Sequence, residues 1–301
     1  MGIRGEEDPR RDEAAQSPPA GRGRSSRTPR LLLLLAALIL ALLAVAVVLL
    51  WRSLGESIPG TSVAKDSVDS AGPEPHVRLT NAAGQVRVEG VEGSRSVEYE
   101  VTRYATAADP AAAKQRASRV PVDISREDSK ISIETDGGRN TGADYALKMP
   151  AGGSVGVESE AGDVEVSGLS GNVKVDAGAG DVTVRDVGGS VKVEVPQGDV
   201  TVANVNTDTG GAELEVGSGD VSLEDVVLGT LEANVEAGSV TLSGRFSGDG
   251  RVSVETGDII ARLPAEDTRD LTLQTRVGRV LREPPNEGSS GQGPEKQEQR
   301  P

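Results

Sequence analysis

The chain has 301 residues and a net charge of −15, with five aromatic residues, two methionines, one histidine (His76) and no cysteine. The missing cysteine excludes disulfides, thiolate catalysis, Cys/His zinc sites and a lipid-modified cysteine anchor. So few large side chains leave a small aliphatic core as the means of folding.

The first 30 residues are basic and lack an apolar period, with Arg4, Arg10, Arg11, Arg22, Arg24, Arg27 and Arg30 ahead of the run Leu31 to Leu50. They are expected to be a disordered cytoplasmic segment. The apolar run, LLLLLAALILALLAVAVVLL, is long enough as a helix to cross the roughly 30 Å hydrocarbon layer of a bilayer. Trp51 and Arg52 follow it, and the upstream arginines orient the N-terminus toward the cytoplasm. Residues 31–51 are therefore expected to form a single-pass signal-anchor helix in the inner membrane, with the lipid bilayer as its partner and the C-terminal domain outside. A cleavable signal peptide is the competing reading, but its apolar region would be about 7–15 residues long and followed by a small-x-small site. WRSLGESIPG offers no good one.

Residues 1–52 carry eight basic and five acidic groups, leaving 24 basic and 42 acidic beyond them, a net of −18. Such a surface disfavours nucleic acid, anionic lipid and anionic polymers as broad-face ligands. Residues 52–75, rich in Ser, Gly, Pro and Asp, read as a flexible linker with a reach of roughly 25 Å. Residues 283–301 read as a disordered tail. Between them, 76–282 is one folded unit.

Its first part, 76–150, contains the alternating runs HVRLTNAAGQVRVEGV and SRSVEYEVTRYA. DPAAAKQRASRV follows, in which Asp109 can cap a short helix with Pro110 at its first position. VPVDISRE, SKISIET and DYALKMP then read as strands, and the block is expected to cap a repetitive domain.

From 151 to 282 the repeat dominates. EAGDVEV returns as GAGDVTV, PQGDVTV, GSGDVSL, EAGSVTL and ETGDIIA, its turn glycine falling at Gly162, Gly180, Gly198, Gly219, Gly238 and Gly257, spacings of 18, 18, 21, 19 and 19. Each period holds two alternating runs: Val173, Val175, Val182 and Val184 face one way and Lys174, Asp176, Thr183 and Arg185 the other. Short turn-bounded strands at this period predict an all-β fold, a β-solenoid of about 18–21-residue coils whose narrow interior suits Val, Leu, Ile and Ala. An antiparallel sandwich of hairpins is the alternative. The in-phase return of AGDV argues against it.

The stretch VGVESEAGDVEVSGLSGNVKVDAGAGDVTVRDVGGSVKV, with its NAAGQVRVEG opening and YALKMPAG lead-in, resembles the bacterial toast-rack or putative-adhesin family over roughly Val77 to Leu281. The resemblance implies a β-solenoid domain outside the cytoplasmic membrane, carried by proteins placed with envelope-stress or cell-surface systems, without an established enzyme activity.

Asp163, Asp181, Asp199, Asp220 and Asp258 recur at one turn position and would form a carboxylate ladder if the coils stack in register. Calcium is one use for it, but the nine-residue Gly-Gly-x-Gly-x-Asp calcium repeat is absent. Ser239 and Arg279 also stand where Asp is expected, so a hydrogen-bonding role in the turn is favoured. A glycosidase needs two carboxylates about 5–9.5 Å apart in a cleft; no unusual pair or long loop interrupts the repeat. Tyr99, Tyr104, Tyr145 and Phe246 are expected to pack the cap and seams. His76 opens the fold beside a proline-rich linker, where a solvated side chain is expected. No catalytic, cofactor-binding or metal residue is assigned. The expected function is a non-catalytic, membrane-anchored envelope module, adhesin-like, contacting cell wall or another envelope protein and serving in envelope stress. A self-assembling structural element is the alternative, followed by a polysaccharide-acting enzyme.

Overall fold

The computed structural model describes residues 58–69, 72, 74–138, 140–264 and 271–284. Residues 1–30 and the span 31–51 lie outside these, as does the tail from 285 on. Among the described residues no helix is long and apolar enough to cross a membrane.

The described chain opens with β1 (Ile58–Asp69), β2 (His76–Asn81), β3 (Val86–Val91) and β4 (Ser96–Ala107). Helix α1 (Pro110–Ala117) follows, then β5 (Asp123–Glu127), β6 (Lys130–Thr135) and β7 (Thr141–Pro150). Asp109 caps α1 by accepting a 2.8 Å hydrogen bond from the Ala112 amide, with Pro110 behind it as the sequence predicts. The repeats then supply β8 (Ser154–Ser159), β9 (Val164–Ser167), β10 (Val173–Ala177), β11 (Val182–Arg185), β12 (Val191–Gln197) and β13 (Val200–Ala203). Longer strands β14 (Asn206–Ser218) and β15 (Val221–Ala237) come next, followed by β16 (Val240–Phe246), β17 (Gly250–Thr256) and β18 (Ile259–Arg262). The last coil is β19 (Leu271–Val277) with β20 (Val280–Glu283).

Parallel pairing builds two faces. One runs β6-β2-β8-β10-β12-β14-β15-β17-β19. The other runs β7-β3-β9-β11-β13-β15-β16-β18-β20, with β15 turning the corner between them. The expected β-solenoid is thus present. In-register stacking puts valine on valine, as at Val155, Val173 and Val191 or Val164, Val182 and Val200, all buried. β-branched side chains suit such a strand, and each fully buried one contributes about 1.5–3 kcal/mol. After the second strand of a coil, a left-handed residue (Gly168, Asp186 or Asn204) turns the chain so that Leu169, Val187 or Val205 plugs the interior.

Two regions differ from expectation. Residues 76–91 are not part of a cap: β2 and β3 form a coil inside the stack, between the β6–β7 coil and the β8–β9 coil. The chain therefore steps outward to lay down β6 and β7, then crosses back over β2 and β3. What caps the end is β4, antiparallel to β7, together with α1 and with β5 antiparallel to β6. The segment 52–75, read as a flexible linker, contributes β1, antiparallel to β4 along its whole length. An edge strand of this kind is held by main-chain hydrogen bonds and needs no apolar alternation to announce it. α1 packs closely on it: a Cβ on Gly60 would lie 2.5 Å from the Lys114 nitrogen.

The far end is blunted differently. Thr275 and Arg282 occupy columns that Val254 and Ala261 hold one coil earlier, so the last coil places polar groups where the core would continue. An inward-column charge discourages another chain from adding a coil. Arg276, Arg279 and Glu283 instead pair backward with Glu255, Asp258 and Arg262, at 2.9, 3.2 and 2.8 Å.

The corner after each first strand is the tightest point. Gly198 has φ +144°, and a Cβ there would sit 2.0 Å from the Gly180 carbonyl oxygen of the coil below. Gly198→Ala is expected to cost at least about 2 kcal/mol, from left-handed strain plus the clash. Gly156→Ala, where a Cβ meets nothing within 4 Å, is expected to be neutral or to stabilise by up to about 1 kcal/mol. Urea midpoints of the two variants against the parent check both.

Candidate binding surface

The Asp column lies along the edge that these corners form. The Asp163 Oδ1 accepts from the Asp181 amide at 3.1 Å, Asp181 from Asp199 at 2.9 Å, Asp199 from Asp220 at 2.8 Å and Asp220 from Ser239 at 2.7 Å. The amide answered is that of the next coil rather than of the same turn, so each carboxylate ties one coil to its successor. Asp144 begins the series on the Gln85 amide at 2.9 Å and Asp258 ends it on Arg279 at 2.8 Å. Ser239 breaks the run of charge. Among the described residues no group of three or more His, Asp or Glu is arranged to hold a metal ion.

A second rail runs along the start of the first face, where Ser154 Oγ accepts from the Asn172 amide at 3.1 Å and Asn172 Oδ1 from Ser190 at 3.0 Å. Beside it runs a groove of about 1130 Å³, extending from His76 past Asn172 and Ser190 to Thr272. Strand register orders its outward side chains into stripes. One column reads Arg78, Gly156, Lys174, Lys192, Glu213, Glu232, Arg251. The next reads Thr80, Glu158, Asp176, Glu194, Glu215, Asn234. Cations thus flank carboxylates across the face, with Arg78 paired to Glu158 and Lys192 to Glu213.

On the opposite face Glu165 sits between two guanidiniums. The Arg87 Nε donates to it at 2.8 Å and Arg185 pairs from the other side. The Arg87 hydrogen bond, with both positive charges, holds the Glu165 carboxyl below its ordinary range. The Arg279 amide and guanidinium do the same for Asp258. A cleft of about 420 Å³ lies over Glu165, lined also by Glu100, Asp144 and Asp181.

The aromatic residues fall where packing was expected. Tyr145 and Phe246 are buried, Tyr99 packs against the core, and Tyr104 lies over Gly142. His76 is exposed at the start of β2, as expected, yet it lines the groove. Lys174 and Lys192 repeat at 18 residues and are legible as a pair; Arg78 and Lys130 join them only because β2 and β6 enter the stack out of chain order.

Two stacked faces, corner glycines in register and a strand-and-helix cap place this chain among known proteins. The Toastrack DUF4097 family model matches residues 113–283, more than half of the sequence. The chain belongs to the Toastrack family. Similar solved structures include putative adhesins from Bacteroides fragilis and Parabacteroides distasonis. The first is 12% identical, covering 74% of this chain and 97% of that one, with a TM-score of 0.49. The second is 15% identical, covering 76% and 98%, with a TM-score of 0.42. A putative cell adhesion protein from Clostridium sporogenes is 11% identical over 74% of this chain and 98% of its own, with a TM-score of 0.37. No curated protein matches. The family match begins within α1, so it leaves out the β2–β3 coil that this Toastrack domain inserts into its stack.

Asp199→Ala is expected to cost about 1 kcal/mol, the usual worth of one hydrogen bond. Asp199→Asn keeps the acceptor and relieves repulsion from Asp181 and Asp220, so its denaturation midpoint should equal or exceed the parent's, and calcium should leave the parent's melting temperature where a chelator leaves it. In acid, the depressed Glu165 and Asp258 carboxyls supply stability that is present above their ordinary range and lost as pH falls through their lower folded values. Glu165→Gln combined with Asp258→Asn should therefore be less stable at neutral pH and lose less below about pH 4, as read from urea midpoints across pH.

Proposed function

We propose that this Toastrack protein is a non-catalytic binding or scaffold module of the cell envelope, adhesin-like, held to the inner membrane by residues 31–51 with the solenoid on the outer side. The observation that carries the reading is the groove along the first face: a long surface of mixed polar and apolar lining whose side chains repeat at the roughly 4.8 Å strand spacing. An elongated partner can be gripped there at many weak points, which suits a cell-wall component or an extended segment of another envelope protein. The 20-residue apolar run behind seven arginines supports the anchor. The resemblance to proteins set among envelope-stress and cell-surface systems supports a part in the stress response. Assembly by end-to-end stacking is the weaker reading, because Thr275 and Arg282 interrupt the core columns at the last coil.

The test has two parts. The full chain should fractionate with membranes and lose that behaviour on deletion of residues 31–50, and protease added outside the cytoplasmic membrane should cut only the C-terminal domain. The detergent-solubilised full chain should retain envelope components without hydrolysing envelope glycans. Retention of nothing, or turnover of a glycan, overturns the binding reading.

A further inference from the structure

The groove is not uniform, and its least ordinary point is Gly156. A strand-centre glycine gives up a packing side chain and conformational entropy, and most other glycines of this fold are required by a neighbour that a Cβ would strike. Gly156 is not: a Cβ there meets nothing within 4 Å, and its φ is ordinary. It leaves a bare gap in a row whose neighbours on either side are Arg78 and Lys174.

Charge gathers round that gap. His76 and Lys130 are paired in register on the adjoining strands, and Lys192 follows Lys174 directly. Lysines opposite one another in neighbouring strands repel. Lys192 is relieved by Glu213, whereas Lys130 and Lys174 make no ion pair among the described residues. A cleft of about 400 Å³ lies over the gap, lined by His76, Arg78, Lys130, Gly156, Glu158 and Lys174, and it adjoins the long groove. Of these, Glu158 is the one carboxylate, and it is bound to Arg78. Arg78 and Lys174 stand two strand spacings apart, roughly 10 Å between backbones, so their flexible side chains can close on a group seated between them. In a domain of strong negative charge, Lys130 and Lys174 stand as cations without an ion pair beside an unfilled gap, with Arg78 held by Glu158 and Lys192 by Glu213 next to them.

We propose that the notch over Gly156 binds a single oxyanionic group, phosphate or carboxylate, held by Lys130, Lys174 and Arg78 with Lys192 and His76 at its rim. The inference rests on the reading of the groove as a binding surface and names the chemistry at one point of it. The carboxylate column from Glu158 to Glu215 repels the flanks of a uniformly anionic polymer, so the site selects one localised anion rather than a polyanion.

The experiment is a calorimetric titration of the full chain with inorganic phosphate and, separately, with acetate, at constant ionic strength. At least one should bind saturably, and comparison of the two arms distinguishes a phosphate site from a carboxylate site. The Lys130→Ala/Lys174→Ala variant should lose about tenfold or more in affinity, the loss of about 1.4 kcal/mol expected when two exposed cation contacts go. Gly156→Glu, which fills the gap with the protein's own carboxylate, should abolish binding, and Lys148→Ala on the other face should leave it unchanged. Unaltered affinity in the lysine variant, or no saturable binding of either anion, overturns the proposal. Should Gly156→Glu fail to fold, the lysine pair still decides. Retention of envelope components without an anion response would sink the notch and leave the wider binding reading standing.

Discussion

One contact sets the form of this molecule: the stacking of corner upon corner, glycine against the carbonyl of the glycine beneath it. The backbones approach so closely along this edge that no side chain fits between successive corners at Gly162, Gly180, Gly198, Gly219, Gly238 and Gly257. With the corner fixed, the two strands of every coil lie in register with those above and below, and valine falls on valine. The aspartate one residue on then finds the next coil's amide within hydrogen-bond reach. Repetition makes the arrangement self-consistent, since each coil is both ligand and template for its neighbour.

The same registration that builds the core writes the surface. Outward side chains cannot choose their neighbours; they inherit them from the strand above and the strand below. Columns of like charge, such as Glu158 to Glu215, are the consequence, and they carry a repulsive cost that isolated strands would avoid. The reward is a face on which spacing is constant and chemistry changes only where the sequence changes. Gly156 and the lysines beside it are one such change, and the rail of hydroxyl and amide side chains at Ser154, Asn172 and Ser190 is another.

Much of this is legible in the amino-acid sequence. The period of the turn glycines and the alternation of valines gave the solenoid, because burial on one side imposes a two-residue rhythm and stacking imposes a constant coil length. The helix at 110–117 announced itself through Asp109 and Pro110. The sequence also marks the aspartates as hydrogen-bonding residues of the turn, and hydrogen bonding to backbone amides is what they do. Their partner is in the next coil, and a repeat read one unit at a time contains no sign of a bond between units. β1 was missed because an edge strand held by main-chain hydrogen bonds has no apolar rhythm. The insertion of β2–β3 between later coils was missed because chain order and stacking order are independent wherever one strand can pair on either side.

The class of structure, the core, the corners and the acidic surface all follow from local pattern and composition, which the chain carries in its linear order. Which side chains meet depends instead on how the strands pair. Lys130, Arg78 and Lys174 belong to three segments separated by tens of residues, and they converge on Gly156 because β6, β2, β8 and β10 lie side by side in that order. A residue's type is fixed by the chain, but the company it keeps across a parallel sheet is fixed by the pairing of strands, which the chain's linear order does not express.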